Sequence, residues 1–131
     1  GRAVEVGELQ FPQGGKPRCT GGESFSISHA TRLVAVAVSG DCEVGIDVEA
    51  LGAMGDPGPD ARQKLERWTA VEAVLKAAAA GLRHAHEVEV DRTAMRARFG
   101  DREFFVRPLD LGSGAVAHLA TTGPVESLQY A

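Results

Sequence analysis

The 131-residue sequence has little of what marks a secreted, membrane-spanning or nucleic-acid-binding protein. It contains only two cysteines, Cys19 and Cys42, which are too few for a disulfide framework and lack metal-motif spacing. No apolar run is long enough to span a bilayer, and no basic-then-apolar signal opens the chain. The formal net charge of -4 argues against nucleic-acid binding through bulk charge. We therefore expect a cytoplasmic protein that binds neither nucleic acid nor a membrane.

The two common nucleotide-binding loops are also missing. The segment 14–17, Gly-Gly-Lys-Pro, lacks the earlier glycine of a Walker A loop and has no Ser or Thr after the lysine. The glycine pattern of a Rossmann fold does not occur either. Any bound phosphate must therefore be held by a different arrangement.

Turn residues and hydrophobic patterns divide the chain into loop, hairpin, helix and strands. The predicted segments are a Gly- and Pro-rich loop over 7–24, a hairpin over 33–49, a helix over 60–82 and a strand meander over 86–122. The hairpin would turn at Gly40 and Asp41, and the helix would stop at Gly81. This order predicts a single α+β domain over 1–131, with an antiparallel sheet packed on one long helix.

Three carboxylates occupy positions where a carboxylate is costly. Asp47 and Glu49 are two residues apart in an apparent strand, so they share one side of it and repel each other. Glu72 falls on the apolar stripe of the helix, where Trp68 is expected to be a core anchor. Glu72 could simply pair with Lys76 one turn later. Alternatively, the three carboxylates converge on a hard divalent cation such as Mg²⁺, which commonly bridges carboxylates to phosphates.

Four motifs in order over residues 14–82 resemble the 4′-phosphopantetheinyl transferases, in the larger class that modifies secondary-metabolite carrier proteins. They are a Gly-Lys-Pro loop, a Phe-x-x-Ser-His-Ala segment, a Gly-Ile-Asp-x-Glu strand and a Trp-Thr-x-x-Glu-Ala-x-x-Lys-Ala helix. The resemblance implies that family's fold, with this chain as one half of the pseudo-twofold larger class. The last 50 residues match only in being strand-like.

The resemblance implies transfer of 4′-phosphopantetheine from coenzyme A to a serine hydroxyl of an acyl or peptidyl carrier protein, releasing 3′,5′-ADP. By this analogy Asp47, Glu49 and Glu72 would hold Mg²⁺. Glu72 or Glu49 would accept the serine proton, and Lys76 would contact coenzyme A phosphates. Such carrier proteins serve polyketide, nonribosomal-peptide and fatty-acid synthesis.

The resemblance also implies a coenzyme A site that includes Lys16, Pro17, Ser28 and His29. His29 would meet the 3′-phosphate, and Lys16 would lie along the same nucleotide. Taken alone, His29 and Lys16 could equally be solvated loop residues, and Ser28 could stabilise the loop. Four arginines on the meander could form a solvated face or receive an acidic carrier protein; they are Arg96, Arg98, Arg102 and Arg107.

The sequence departs from the family pattern in three ways. Val71 stands where the family usually has lysine, and only about 20 residues separate Glu49 from the helix motif, where the larger class has a longer insert. Because the sequence begins only 15 residues before Lys16, we also expect the N-terminal half of the larger class to be missing. We therefore expect a homo-oligomer, a trimer or dimer with sites between subunits, or a domain of a larger synthase. A non-catalytic homologue that binds coenzyme A or a carrier protein is the alternative.

Overall fold

The computed structural model describes residues 9–10, 18–19, 23–31, 33–52, 58–112 and 114–125. Its strands are β1 Leu9–Gln10, β2 Arg18–Cys19, β3 Ser24–Ala30, β4 Leu33–Ser39, β5 Val44–Ala50, β6 Val88–Asp91, β7 Arg96–Phe99, β8 Arg102–Leu109 and β9 Ala115–Thr121. Helix α1 spans Pro59–Ala77, and a 3-10 helix spans Leu82–Glu87. Two antiparallel sheets form, in the orders β1-β2-β3-β4 and β5-β9-β8-β7-β6, with α1 packed on the second. The predicted α+β class is confirmed.

The predicted hairpin over 33–49 is wrong. Strand β4 pairs with β3, from Ala30 opposite Leu33 to Ser24 opposite Ser39, whereas β5 pairs with β9 in the other sheet. The turn residues at 40–41 therefore carry the chain from one sheet to the next. Local turn chemistry indicated a reversal there, but the pairing partner of β5 lies about seventy residues further along the chain, where no local signal reaches.

The two sheets meet through a ladder of serine side chains. Strand β5 is an edge strand of the five-stranded sheet, so alternate backbone N–H groups have no strand to pair with. Serine hydroxyls of β3 accept these bonds: Val44 N to Ser24 Oγ (3.1 Å), Ile46 N to Ser26 Oγ (3.0 Å) and Val48 N to Ser28 Oγ (3.0 Å). The ladder satisfies a buried sheet edge and fixes β3 against the strand that carries Asp47.

Helix α1 lies directly against Gly45 of β5. A Cβ atom at this position would be 2.0 Å from the Ala73 carbonyl oxygen and 2.5 Å from the Ala77 nitrogen. Only glycine permits this approach of the helix backbone to the strand. The contact brings Glu72, the residue before Ala73, beside the strand that carries Asp47 and Glu49.

The predicted core face of the helix is wrong at Trp68, whose side chain is 38% exposed. The buried residues are mostly small: Thr69, Ala70, Val71, Ala73, Val74, Leu75 and Ala77. They pack closely against β5 and β9, whereas Trp68 is partly exposed. The helix also ends before the predicted Gly81. Ala79 adopts the left-handed conformation (φ 57°), with Ala80 N bonded to Leu75 O, which closes the helix as a Schellman motif.

The C-terminal meander is confirmed as four antiparallel strands, β6 to β9, within the predicted range 86–122. Three of its arginines contact neighbouring side chains. The Arg96 guanidinium lies 4.0 Å from the Phe105 ring centroid, and Arg98 lies 3.6 Å from a carboxylate oxygen of Glu103. Arg102 stacks on Phe104 at 5.2 Å. Among the described residues, no helix is long and apolar enough to cross a membrane.

Candidate metal centre

The structure brings Asp47, Glu49 and Glu72 together, as the sequence predicts. One carboxylate oxygen from each residue lies within 4.8 Å of the others. Asp47 and Glu49 project from the same side of β5, and α1 supplies Glu72 because its backbone rests on Gly45. Three oxygen ligands at this spacing, on two elements in close contact, are a donor set that suits a hard cation.

Asp47 is the most buried member of the group, with a side chain that is only 4% exposed. Its Oδ1 accepts a hydrogen bond from Ser28 Oγ (3.3 Å) and one from Lys76 Nζ (3.2 Å). Its Oδ2 is buried and has no hydrogen-bond partner among the residues that the structure describes. A buried carboxylate oxygen without a partner is costly, so this atom requires a proton or a cation.

The other two carboxylates hold their protons more tightly than usual. Burial and the negative charges of Asp47 and Glu49 raise the pKa of Glu72 to about 8. Burial and the charge of Asp47 also raise the pKa of Glu49, and the Lys76 charge opposes both shifts. Without a cation, the site therefore relieves its repulsion by keeping a proton near Glu72 at neutral pH.

The partly exposed Lys76 ammonium has three acceptors. Its ammonium donates to Asp47 Oδ1 (3.2 Å), to Ile46 O (3.0 Å) and to Ile27 O (3.3 Å). These bonds match the three protons of the group, so Lys76 fixes the direction of Asp47 and ties α1 to both sheets. Its contact with coenzyme A phosphates stays a prediction.

Formal charge at the site suits a divalent cation. Asp47, Glu49 and Glu72 contribute three negative charges when ionised, and Lys76 contributes one positive charge. The remaining two negative charges match one divalent ion. Mg²⁺ in proteins is usually bound by a few carboxylates, with water and phosphate oxygens as its further ligands.

The predicted coenzyme A residues have different positions. Ser28 is buried and its hydroxyl is engaged on both sides, because it accepts from Val48 N and donates to Asp47 Oδ1. His29 is exposed and, as the next residue of β3, points to the opposite face, so the structure does not bring it to the carboxylates. Lys16 and Pro17 lie outside the described residues.

Sequence reasoning missed a buried polar pair beside the carboxylates. Thr69 is fully buried on α1, one turn before Glu72, and its Oγ1 lies 2.8 Å from His118 Nδ1. His118 is the cross-strand partner of Asp47 on β9. Burial and the Arg92 charge lower the pKa of His118 to about 4, so its imidazole is neutral near pH 7. The one available sequence signal was a histidine in the apolar strand AVAHLAT.

No protein-family model matches this chain, and no curated protein matches it. Function must therefore be inferred from the side chains themselves. The relevant features are three convergent carboxylates, an Asp47 oxygen that is buried without a partner among the described residues, and a lysine bonded to the other oxygen of Asp47.

Proposed function

We propose that this chain is a Mg²⁺-dependent 4′-phosphopantetheinyl transferase with that family's fold. It would transfer phosphopantetheine from coenzyme A to a serine hydroxyl of an acyl or peptidyl carrier protein and release 3′,5′-ADP. One observation carries the proposal: Asp47, Glu49 and Glu72, the carboxylates of two separate motifs, converge beside a buried Asp47 oxygen that has no partner within the described part of the chain.

The surrounding fold supports the same reading. The strand motif and the helix motif are twenty residues apart in sequence, yet the close approach at Gly45 places them side by side. The Ser-His motif lies on β3, and its Ser28 hydroxyl bonds directly to Asp47. Three of the four motifs therefore meet at one place, and the fourth, at 14–17, lies outside the described residues.

The carboxylates have distinct tasks in this mechanism. Asp47, Glu49 and Glu72 would hold Mg²⁺, which supplies charge neutralisation to the phosphoryl group during transfer. Lys76 and Ser28 hold Oδ1 of Asp47, which leaves Oδ2 directed at the ligand set. Glu72, or Glu49 directly or through water, would accept the proton of the carrier serine; because a carboxylate that shares a metal is a weak base, its position matters more than its basicity.

The decisive experiment is mass spectrometry of an apo carrier protein incubated with this protein, coenzyme A and Mg²⁺. We expect one serine of the carrier to gain the mass of phosphopantetheine. Asp47→Ala should abolish the gain while the circular dichroism spectrum is retained. Turnover near the wild-type rate in that variant would refute the assignment of the metal ligands.

A non-catalytic homologue that binds coenzyme A or a carrier protein is the second candidate, and Val71 favours it. This residue is 7% exposed and packs in the core between α1 and the five-stranded sheet. A core position cannot present the phosphate contact that the family's lysine provides. Binding of coenzyme A without any carrier modification would support this candidate over the transferase.

We further propose that the protein self-associates or acts as a domain of a larger synthase. Four apolar side chains are exposed on one face of the β1–β4 sheet: Ile27, Val34, Val36 and Val38. Covering this face would remove apolar area from water. Sedimentation at micromolar concentration, with coenzyme A and Mg²⁺ present, should show a dimer or trimer, and a monomer would count against self-association.

A further inference from the structure

A cavity is lined by residues of helix α1 and strands β8 and β9. Its volume is about 340 Å³, which is within the range of small-molecule sites. The apolar residues of its lining include Val106, Pro108 and Val116, and the polar residues include Glu66, Arg92 and His118. A cavity lined by apolar residues and a few polar groups is the usual form of a site for a small amphipathic molecule.

The hydrogen bonds of Thr69 determine which nitrogen of His118 carries the proton. The single hydroxyl proton of Thr69 is donated to the Glu66 carbonyl oxygen at 2.9 Å, since a carbonyl can only accept. In the 2.8 Å hydrogen bond between Thr69 Oγ1 and His118 Nδ1, Nδ1–H must then be the donor. The neutral imidazole therefore has its bare lone pair on Nε2.

Nε2 of His118 is a hydrogen-bond acceptor that has no donor among the described residues. The ring is 3% exposed and lines the cavity, and the described residues provide no hydrogen bond to Nε2. Nε2 differs from the metal centre in its chemistry, because a single neutral nitrogen accepts from an N–H or O–H group. The structure thus presents one fixed acceptor at the floor of the cavity.

The cavity lining carries charged side chains of both signs, Arg62 and Arg92 with Glu66 and Asp110. Arg92 Nη2 donates to Glu66 Oε2 at 2.6 Å, and Arg62 Nε lies 3.6 Å from Glu66 Oε1, so two cations share one carboxylate. A guanidinium has five N–H donors, and one of those of Arg92 is used in this bond. Asp110 also lines the cavity, and its Oδ1 accepts the Gly112 amide. Arg92 is therefore suited to bind an anionic head group.

We propose that this cavity binds a small hydroxycarboxylic acid with a short apolar chain. The hydroxyl donates to Nε2 of His118, the carboxylate accepts from Arg92, and the apolar chain covers Val106, Pro108 and Val116. The proposal does not depend on the transferase activity.

The first test uses the unaltered protein and three matched compounds, followed by ¹H–¹⁵N NMR titration. The compounds are 2-hydroxyhexanoate, hexanoate, which lacks the hydroxyl, and 1,2-hexanediol, which lacks the carboxylate. We expect 2-hydroxyhexanoate to bind and to shift the amides around His118, and each partner compound to bind about fivefold more weakly or worse, the factor that one hydrogen bond contributes. Equal binding of hexanoate, or no binding of 2-hydroxyhexanoate, would overturn the proposal.

The second test removes each protein group in turn. His118→Asn can keep a donor for Thr69 but lacks Nε2, and it should reduce the preference for 2-hydroxyhexanoate over hexanoate to about one. Arg92→Gln should weaken both acids and leave the diol unchanged. Arg98→Gln, on an exposed part of the meander outside the cavity, is the control and should alter none of them. A preference that survives in His118→Asn would overturn the assignment.

A direct measurement of the imidazole keeps the proposal testable even where a variant fails to fold. Long-range ¹H–¹⁵N spectra of the unaltered protein should show a protonated Nδ1 and an unprotonated Nε2 for His118. Addition of 2-hydroxyhexanoate should shift the Nε2 resonance more than the resonance of Nδ1. A protonated Nε2 in the free protein would contradict the proposal.

Discussion

Gly45→Ala is expected to damage the fold and the metal centre together, because α1 rests on the bare backbone of Gly45. The added methyl group would lie 2.0 Å from the Ala73 carbonyl oxygen and 2.5 Å from the Ala77 nitrogen. Both atoms belong to the helix backbone, so no side-chain rotation relieves the overlap. The helix must move away from β5 instead.

The size of the movement sets the expected cost. An ordinary contact begins near 3.4 Å, so the Ala73 carbonyl must retreat by about 1.4 Å. This displacement loosens the packing of Ala70, Val74 and Ala77 against the sheet. Overpacking of a rigid core costs up to about 3 kcal/mol. Alanine loses less conformational entropy than glycine on folding into a strand, which offsets this cost by less than about 1 kcal/mol. We therefore expect a loss of about 2–3 kcal/mol in the free energy of unfolding.

Urea unfolding followed by circular dichroism measures this loss. The midpoint should fall with the slope unchanged, since the surface exposed on unfolding is similar. Cation affinity should fall as well, because Glu72 precedes Ala73 and moves with the helix. Gly81→Ala is the matched control, since Gly81 has φ −81° and nothing lies within 4 Å of its added Cβ. If Gly45→Ala were as stable as Gly81→Ala, the account of the helix–strand contact would be refuted.

Three further changes have expected outcomes. Ser26→Ala should cost about 1–3 kcal/mol in unfolding free energy, because the buried Ile46 N–H loses its acceptor. Lys76→Met should destabilise the protein by about 1–2 kcal/mol at pH 8, after discounting for the ammonium's partial exposure, and added Mg²⁺ should restore part of the loss. The pKa of His118 is near 6.5 in the unfolded chain and about 4 in the folded protein. The free energy of unfolding should therefore fall by up to about 3 kcal/mol as the pH drops through this window. His118→Asn should flatten the dependence of the unfolding free energy on pH.

Each of these variants has a control that makes a matched change at an exposed position. Thr93→Val removes a hydroxyl between β6 and β7, Lys64→Met lies on the exposed side of α1, and His86→Asn lies in the 3-10 helix. We expect each control to change the unfolding free energy by less than about 0.5 kcal/mol. A site variant that behaves like its control in urea unfolding would contradict the contact assigned to it.

Much of the candidate metal centre was predictable because strand and helix periodicity are local. The two-residue spacing of Asp47 and Glu49 places them on one side of a strand wherever that strand goes. Glu72 was conspicuous as a carboxylate at the inner edge of a helix. The four-stranded meander likewise followed from alternating sequence and short turns between neighbours.

The parts that escaped prediction depend on contacts between distant segments. The pairing of β5 with β9, the serine bonds between β3 and β5, and the contact of Thr69 with His118 all join residues twenty or more positions apart. Trp68 was assigned to the core because large apolar residues usually lie there. The close approach of α1 at Gly45 instead leaves room only for small side chains on the buried face.

Manganese binding measured by electron paramagnetic resonance tests the central claim most directly, because Mn²⁺ shares the oxygen ligands of Mg²⁺ and is visible. We expect one Mn²⁺ per chain, displacement by Mg²⁺, and loss of binding in Asp47→Asn, which keeps the shape of the side chain but removes its charge. Unchanged Mn²⁺ binding in Asp47→Asn, or no binding to the wild-type protein at neutral pH, would contradict the assignment of Asp47, Glu49 and Glu72 as metal ligands.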